Sequence, residues 1–231
     1  MWKDLVLDGR TCHTYSPTGD GPVIFIGIMS DQKESMTQIA RSVEEELGES
    51  EPFTLFFFES SDWMDDFSPW EMDTGLGQRF GSGGRALSDW LVDRAIPYVR
   101  EEFPYATETA IVGYSLAGLF SLWTFYETHA FRAVGCCSGS LWFKGWDEYA
   151  DRARSPENGA VYLSLGGKEP GSGNILTASI GVQYLKQKKR LEGDSALRAY
   201  IHQQNSGGHF SDVPGRIVKA VVWIVNALAV Y

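Results

Sequence analysis

Short apolar segments alternate with longer amphipathic segments along most of the chain, and this alternation limits the possible folds more than any other feature. The apolar segments 22–28 and 53–58 are continuous, which is typical of strands buried on both faces of a sheet. A chain that alternates such strands with helices forms a mostly parallel central sheet with helices on both faces. Further strands are predicted at 107–112, 133–137, 160–165 and 196–202. Helices are predicted at 32–47, 85–102, 116–128, the second half of 172–190, and 213–230.

The organisation of the whole chain predicts one domain that occupies residues 1–231. The chain has no internal repeat, low-complexity tract or Pro- and Ser-rich linker, and 231 residues are enough to bury a sizeable core. Residues 3–15 could supply one or two antiparallel edge strands. Segment 59–84 is long and irregular, and connections of this length are usually functional or mobile. Pro97 is expected to bend the helix predicted at 85–102.

Charge and cysteine content exclude several classes of protein. The net charge of −10, from 20 Lys and Arg against 30 Asp and Glu, argues against a nucleic-acid partner because phosphates would be repelled. The three cysteines, Cys12, Cys136 and Cys137, are odd in number and two are adjacent, which does not suit a disulfide framework or a zinc site. The chain starts without the pattern of a signal peptide, and no apolar run reaches the ~20 residues of a membrane span. These features predict a cytoplasmic protein without a membrane partner.

No cofactor or metal is expected from the glycine pattern. Segment 81–84 (GSGG) lacks the Lys-Ser/Thr ending of a phosphate-binding loop. No G-x-G-x-x-G run follows the first buried strand, as a dinucleotide site would require.

The most informative stretch is 109–120 (TAIVGYSLAGLF), in which a strand ends and a helix begins almost at once around Ser115. This is the strand–turn–helix context of the G-x-S-x-G nucleophile elbow of α/β-hydrolases. The positions two before and two after the serine must be small, because strand and helix nearly touch there. Gly113 meets that demand, and Ala117 is a mild departure that still satisfies the packing. The alternative is that Ser115 only caps the helix.

A nucleophilic serine needs a base, and histidine is the usual one. His209 lies in a Gly-rich loop between the last strand and the last helix, where an α/β-hydrolase places its histidine. The alternatives are a helix-end residue, His129, a strand residue, His202, and His13 near the chain start.

The acid of the triad should lie between Ser115 and His209, just after a strand. Glu169 follows the strand predicted at 160–165 and is the predicted acid, which would orient and stabilise the imidazolium. A Ser115–His209 dyad is the alternative, as is a solvated role for Glu169 beside Lys168. Carboxylates in less suitable positions are Asp151, Glu157, Asp194 and Asp212.

The oxyanion donors and the substrate pocket follow from the same geometry. The Leu116 N–H lies at a helix N-terminus and is one predicted oxyanion donor. The second is the backbone N–H of Ile28 or Met29, after the first central strand. Aromatic residues near strand ends could wall the pocket, although Trp63 and Trp70 could equally pin the long segment 59–84. The predicted pocket residues are Trp63, Trp70, Tyr114, Trp142 and Trp146.

The sequence resembles the putative-esterase family of α/β-hydrolases, which includes esterase D, feruloyl esterases, mycolyltransferases and enterochelin esterases. The similarity extends over nearly the whole chain from Pro22, and the siderophore-esterase branch is the nearest. Ala117 departs from the glycine of the family pattern. The resemblance implies an α/β-hydrolase domain without a large lid that hydrolyses esters; it does not identify the substrate. The stretches that carry it are 113–120 (GYSLAGLF), 66–70 (DFSPW), 138–142 (SGSLW), 162–169 (YLSLGGKE) and 207–210 (GGHF).

These observations predict a serine hydrolase that cleaves a small-molecule carboxylic ester through an acyl-enzyme. One alternative is an acyltransferase that uses the same triad. Another is a non-catalytic binding protein on the hydrolase scaffold, in which Ser115, His209 and Glu169 would not converge. The sequence leaves the oligomeric state open.

Overall fold

An eight-stranded sheet forms the centre of the molecule. The computed structural model describes residues 1–48, 51–171 and 179–229. Within these described residues, two further short strands, β5 and β6, pair with each other and with no strand of the main sheet. In chain order the strands are β1 (Trp2–Leu7), β2 (Arg10–Tyr15), β3 (Asp20–Met29), β4 (Thr54–Ser60), β5 (Met72–Asp73), β6 (Arg79–Phe80), β7 (Tyr105–Tyr114), β8 (Ala133–Cys137), β9 (Gly159–Gly166) and β10 (Leu197–Asn205).

Helices connect most of these strands. Residues 172–178 and Val230, which belong to two of the predicted helical segments, lie outside the described residues. None of the described helices combines the length and the apolar character needed to cross a membrane. The helices are α1 (Lys33–Leu47), α2 (Trp63–Asp66), α3 (Gly84–Trp90), α4 (Ile96–Glu102), α5 (Leu116–Thr128), α6 (Trp146–Ala150), α7 (Ile180–Glu192) and α8 (Val213–Ala229).

The strand order is β1-β2-β4-β3-β7-β8-β9-β10. All neighbours from β4 to β10 in this order run parallel, whereas β1 and β2 form an antiparallel hairpin at one edge. The mostly parallel sheet predicted from the sequence is confirmed. The order reverses between β3 and β7, and ligands bind at the carboxyl ends of strands beside such a reversal.

The core lies on both faces of the sheet, as the continuous apolar strands predict. On β3, Val23 and Phe25 join the cluster beneath α3, α4, α5 and α7, whereas Ile24 and Ile26 join the cluster beneath α1 and α8. Successive side chains of a strand point to opposite faces, so both sets are buried. Each such side chain stabilises the fold by about 1.5–3 kcal/mol, which holds the central strands firmly under the site.

The segment predicted as one helix at 85–102 is helical throughout, but it contains a π turn. It is divided into α3 and α4 by a π turn at Leu91–Ala95, in which the Ile96 N–H donates to the carbonyl of Leu91, five residues back. Pro97 lies in the first turn of α4. A proline has no N–H, and its ring clashes with the carbonyl four residues earlier in an α-helix. The wider turn just before Pro97 relieves that conflict, so the irregularity of the helix lies directly upstream of the proline.

The turn from β7 into α5 is the tightest connection near the sheet edge. Ser115 stands between the two elements with φ +58° and ψ −119°, a conformation that a residue with a side chain rarely adopts. A Cβ on Gly113 would lie 2.1 Å from the Ala117 carbonyl oxygen, so this position requires glycine. Strand and helix therefore approach as closely as the backbone allows, and the Ser115 side chain is presented beyond the strand end.

Replacing Gly113 with alanine should prevent this close approach. Strand and helix would have to move apart, and we expect the free energy of unfolding to fall by about 3 kcal/mol. Ala117→Gly is the matched control, since it creates no clash and should cost about 1–2 kcal/mol through lower helix propensity and the loss of one buried methyl group. Urea denaturation of both variants measures the difference. Equal, small losses in the two variants would contradict the close approach.

Candidate active site

Three predicted residues from three different loops meet at the carboxyl edge of the sheet. Ser115 follows β7, Glu169 begins a short 3₁₀ turn after β9, and His209 lies in the loop between β10 and α8. The His209 Nε2 atom is 3.0 Å from the Ser115 Oγ atom. On the other side of the ring, His209 Nδ1 is 2.8 Å from Glu169 Oε2. The side chains thus form a continuous chain of two hydrogen bonds.

The Glu169 carboxylate is buried, with 4% of the residue exposed, and its oxygen atoms have several donors. Oε1 accepts a hydrogen bond of 2.7 Å from the Ser138 hydroxyl and one of 2.7 Å from the Gly166 N–H. Burial alone raises the pKa of Glu169, but the hydrogen bonds from His209, Ser138 and Gly166 outweigh it, and the pKa lies below its ordinary value. The group is therefore ionised at neutral pH and can stabilise a protonated His209.

A buried arginine that the sequence analysis missed connects Glu169 to the end of β7, the strand that precedes Ser115. Arg216, on α8, is 1% exposed. Its Nη1 atom lies 3.1 Å from Glu169 Oε1, 2.9 Å from the Ser138 hydroxyl and 2.8 Å from the Tyr114 hydroxyl. Tyr114 directly precedes Ser115. An arginine on a mostly apolar helix was the signal in the sequence, because a buried cation needs an anionic partner.

The same guanidinium holds the histidine loop. Arg216 Nη2 donates to the carbonyls of Ser206 and Gly208, at 2.9 Å and 2.8 Å. The Tyr114 hydroxyl donates to the carbonyl of His209 at 2.6 Å. The loop that presents His209 is thus tied by its backbone to α8 and to the end of β7.

The loop after β8 contacts both ends of the hydrogen-bond chain. Its residue Ser138 binds the acid, as described, and has a left-handed backbone with φ +45°. The Ser140 N–H donates to the Ser115 carbonyl at 3.0 Å. The Ser140 hydroxyl lies 3.5 Å from that of Ser115. This stretch, 138–142, is one of those that carry the family resemblance, and its serines contact the site directly.

The predicted oxyanion donors stand at two element ends beside Ser115. Leu116 is the first residue of α5, where the N–H groups have no partner within the helix. Ile28 and Met29 end β3 and line the same cavity as Ser115. The Met29 N–H donates to the Gln32 side chain at 3.1 Å. The role of these amides stays a prediction.

Two cavities meet at Ser115 and share Trp63, His209 and Phe210 as walls. The smaller, of about 250 Å³, is here called the oxyanion-side cavity and is bounded by Ile28, Met29, Ile39, Tyr114, Val213 and Ile217. The larger, of about 510 Å³, is here called the aromatic cavity and is bounded by Met64, Phe80, Leu116, Trp142 and Ile180.

The predicted pocket residues divide into two groups. Trp63 lines both cavities, Trp142 lines the aromatic cavity and Tyr114 lines the oxyanion-side cavity. The prediction for Trp70 and Trp146 is wrong, since neither borders these cavities. Trp146 begins α6 and is 0% exposed, while the Trp70 N–H donates to the carbonyl of Lys144 at 2.8 Å. Both rings hold loops together rather than facing a ligand.

Several cavity residues escaped the sequence analysis because their segments gave no clear periodicity. Phe80 lies in the two-residue strand β6 within the long segment 59–84. Phe210 is 89% exposed and next to His209, an unusual position for a phenylalanine that could have marked it. Ile180 starts α7.

The alternative histidines and carboxylates have other partners. His13 is buried between Asp4 and Glu59, and the ring of His129 contacts the carbonyl of Arg154. Asp212 accepts from the Gly215 N–H at the start of α8. Among the residues that the structure describes, no group of three or more His, Cys, Asp or Glu side chains could hold a metal ion.

The ionised Glu169 is predicted to stabilise the native protein at neutral pH but not in acid. Its pKa is lower in the native protein than the ordinary value of 4.5, so the native state binds fewer protons than the unfolded chain. This stabilisation is complete above about pH 4.5 and is lost as the pH falls through the native pKa. The difference in unfolding free energy between wild type and Glu169→Gln should therefore shrink below that pH.

Denaturant titrations at a series of pH values test this expectation. Glu101→Gln is a matched control, because it makes the same chemical change at an exposed position on α4, outside the hydrogen-bonded site. A stability difference between wild type and Glu169→Gln that stays constant down to pH 3 would contradict an ionised, hydrogen-bonded Glu169.

Comparison with solved structures shows which fold this site belongs to. The chain is similar to an IroE-like serine hydrolase from Shewanella oneidensis, with a TM-score of 0.80 and 14% identity over 98% of this chain and 80% of that chain. It is also similar to the siderophore hydrolase EstA from Aspergillus nidulans, with a TM-score of 0.74 and 12% identity over 98% and 94% of the two chains. For the enterobactin esterase FES from Shigella flexneri, the TM-score is 0.67 and the identity 13%, over 99% of this chain and 59% of that chain.

The sequence itself matches a family model. A search of curated proteins found no match. The model of the family described as "Putative esterase" matches residues 13–222, which is most of the chain and includes Ser115, Glu169 and His209. The α/β-hydrolase fold expected from the sequence agrees with the structural likenesses. The chain therefore belongs to the putative esterase family and is a carboxylic ester hydrolase.

Proposed function

We propose that Ser115, His209 and Glu169 are a catalytic triad that hydrolyses a carboxylic ester through an acyl-enzyme. The observation that carries this proposal is the chain of two hydrogen bonds, 3.0 Å from Ser115 Oγ to His209 Nε2 and 2.8 Å from His209 Nδ1 to Glu169 Oε2. A serine hydroxyl is weakly nucleophilic until an adjacent base can accept its proton. The strained turn at Ser115 and the low pKa of Glu169 favour the same assignment.

In the first half of the reaction, His209 Nε2 accepts the Ser115 proton as Oγ attacks the ester carbonyl carbon. The protonated ring is stabilised by the ionised Glu169 at Nδ1. The tetrahedral oxyanion binds to the Leu116 N–H and to that of Ile28 or Met29. Collapse breaks the bond to the alcohol oxygen, which takes the proton from His209 and leaves the acyl group on Ser115.

In the second half, His209 accepts a proton from water, and the resulting hydroxide attacks the acyl carbonyl. The bond to Ser115 Oγ breaks, Oγ takes back the proton, and the acid is released. The named siderophore hydrolases among the structural likenesses make a siderophore ester one candidate substrate. A single domain over residues 1–231 and a cytoplasmic location remain part of this proposal.

Ser115→Ala should abolish hydrolysis of a 4-nitrophenyl acyl ester, with kcat lowered by about 10³-fold or more, because it removes the hydroxyl that forms the acyl-enzyme. A fluorophosphonate probe should label the wild type and fail to label this variant. Ser140→Ala is the labelling control, because it removes a hydroxyl 3.5 Å away and keeps the nucleophile.

His209→Ala should lose activity similarly, whereas His202→Ala, on the exposed side of β10, should retain it. Persistent labelling of the Ser115→Ala protein would exclude the proposal.

The Arg216 contacts predict a graded loss of activity. Tyr114→Phe removes one hydroxyl that links Arg216 to the histidine loop, and we expect kcat to fall by up to about tenfold with little change in KM. Arg216→Met leaves the buried Glu169 charge without its cation, which should cost about 3–5 kcal/mol of unfolding free energy. Arg216→Lys should fall between wild type and Arg216→Met.

The control for these variants is Arg94→Gln, because Arg94 forms an exposed ion pair with Asp8 on the surface. Its stability should change by less than about 1 kcal/mol. Steady-state kinetics and thermal denaturation of the four variants separate a kinetic effect from loss of folding. An unchanged kcat in Tyr114→Phe together with a stable Arg216→Met would show that the site does not depend on the guanidinium.

A further inference from the structure

The charges around the two cavities indicate which esters the site accepts. Among the described residues that border either cavity, the only charged or readily charged side chains are Glu169 and His209, both assigned to the triad. The remaining walls are aliphatic, aromatic, hydroxyl or amide groups. The exposed side of the site is formed by Phe210, whose ring is accessible to a ligand.

The cation that pairs with Glu169 is not accessible to a substrate either. Arg216, its partner, is 1% exposed and lies within hydrogen-bond distance of Tyr114, Ser138, Glu169 and two loop carbonyls. The guanidinium therefore neutralises Glu169 through a buried contact and borders neither cavity.

Three surface cations that are close in sequence to residues of the site also border neither cavity. Arg79 is adjacent to Phe80 on β6, but successive strand residues point to opposite sides, and Arg79 is paired with Asp73. Arg85 pairs with Glu127 and covers the ring of Trp123. Lys168 is exposed on the turn beside Glu169 and borders neither cavity.

An anionic group would be unfavourable in such a site. Moving a carboxylate from water into an apolar cavity without a cationic partner carries a large desolvation penalty. The net charge of −10 adds repulsion during approach. A neutral aliphatic or aromatic group, in contrast, gains free energy from burial against Trp142, Phe80 and Ile180.

We propose that this enzyme selects esters that are uncharged on both sides of the scissile bond, with one apolar or aromatic half in the aromatic cavity and the other in the oxyanion-side cavity. The inference rests on the proposed function, since it places the ester carbonyl at Ser115, where the two cavities meet. A siderophore ester belongs to this class only in a form without anionic groups next to the bond that is cleaved.

The test compares matched substrates that differ by one charge. On the acyl side, the pair is 4-nitrophenyl hydrogen adipate and its methyl ester. On the alcohol side, the pair is 4-nitrophenyl butyrate and 3-carboxy-4-nitrophenyl butyrate, each rate being divided by its rate of alkaline hydrolysis. We expect kcat/KM to be at least about tenfold higher for the neutral member of each pair.

Two variants connect the preference to the cavity walls. Gln78 is exposed and borders the aromatic cavity. Gln78→Arg supplies a cation there, so it should lower the ratio of kcat/KM between the neutral and the anionic substrate in at least one pair. Arg79→Gln is the matched control, and it should leave both ratios unchanged because Arg79 points away from the cavity.

The outcomes separate this inference from the proposed function. If Ser115-dependent hydrolysis occurs but anionic and neutral members react equally, or the anionic members react faster, the substrate class is wrong and the triad stands. If Arg79→Gln lost the hydrolysis of the anionic substrates, the proposed substrate class would be wrong in the same way. If no ester is hydrolysed and Ser115 is not labelled, the proposed function itself fails.

Discussion

The buried guanidinium of Arg216 holds together three loops that the sequence places far apart. It contacts Tyr114 at the end of β7, Glu169 after β9, and the carbonyls of Ser206 and Gly208 before His209. A cation removed from water needs hydrogen-bond acceptors around it, so any rearrangement of one loop leaves a buried charge with fewer partners. The positions of the three site side chains are therefore coupled through one group that does not face the substrate.

This coupling works because the sheet already brings the loops to one edge. Parallel strands end on the same side, and the core on both faces of β3, β7, β8 and β9 keeps those ends in register. The glycines allow the backbone to close around the ion pair. A Cβ on Gly166 would lie 2.7 Å from Glu169 Oε1 and 2.8 Å from Arg216 Nη2, so only glycine fits beside them. At Gly113 the same absence of a side chain lets α5 approach β7 and presents Ser115.

Local patterns predicted much of this arrangement. The elbow at Ser115 was recognisable because a buried strand, two small residues and an apolar helix occupy one short stretch, and α5 and β8 match their predicted bounds. Glu169 and His209 followed from chain order. Arg216 could not be predicted in its role, because its partners come from segments up to 102 residues away in the sequence. Trp70 and Trp146 were misplaced for a related reason, since being in a loop near a strand end does not determine which way a ring points.

The buried position of Arg216 also explains why the walls of the two cavities carry so little charge. A buried carboxylate needs a cationic partner or hydrogen-bond donors, and here Arg216 on α8 binds Oε1 of Glu169, whereas His209 lies at Oε2. Had the cation been placed on a cavity wall, it would both stabilise Glu169 and attract anionic ligands. With Arg216 away from the cavity walls, the aromatic part of those walls is formed by Trp63, Trp142, Phe80 and Phe210, which favour a ligand by burial. The arrangement that keeps Glu169 ionised is thus the same one that leaves an anionic ligand in either cavity without a cationic partner.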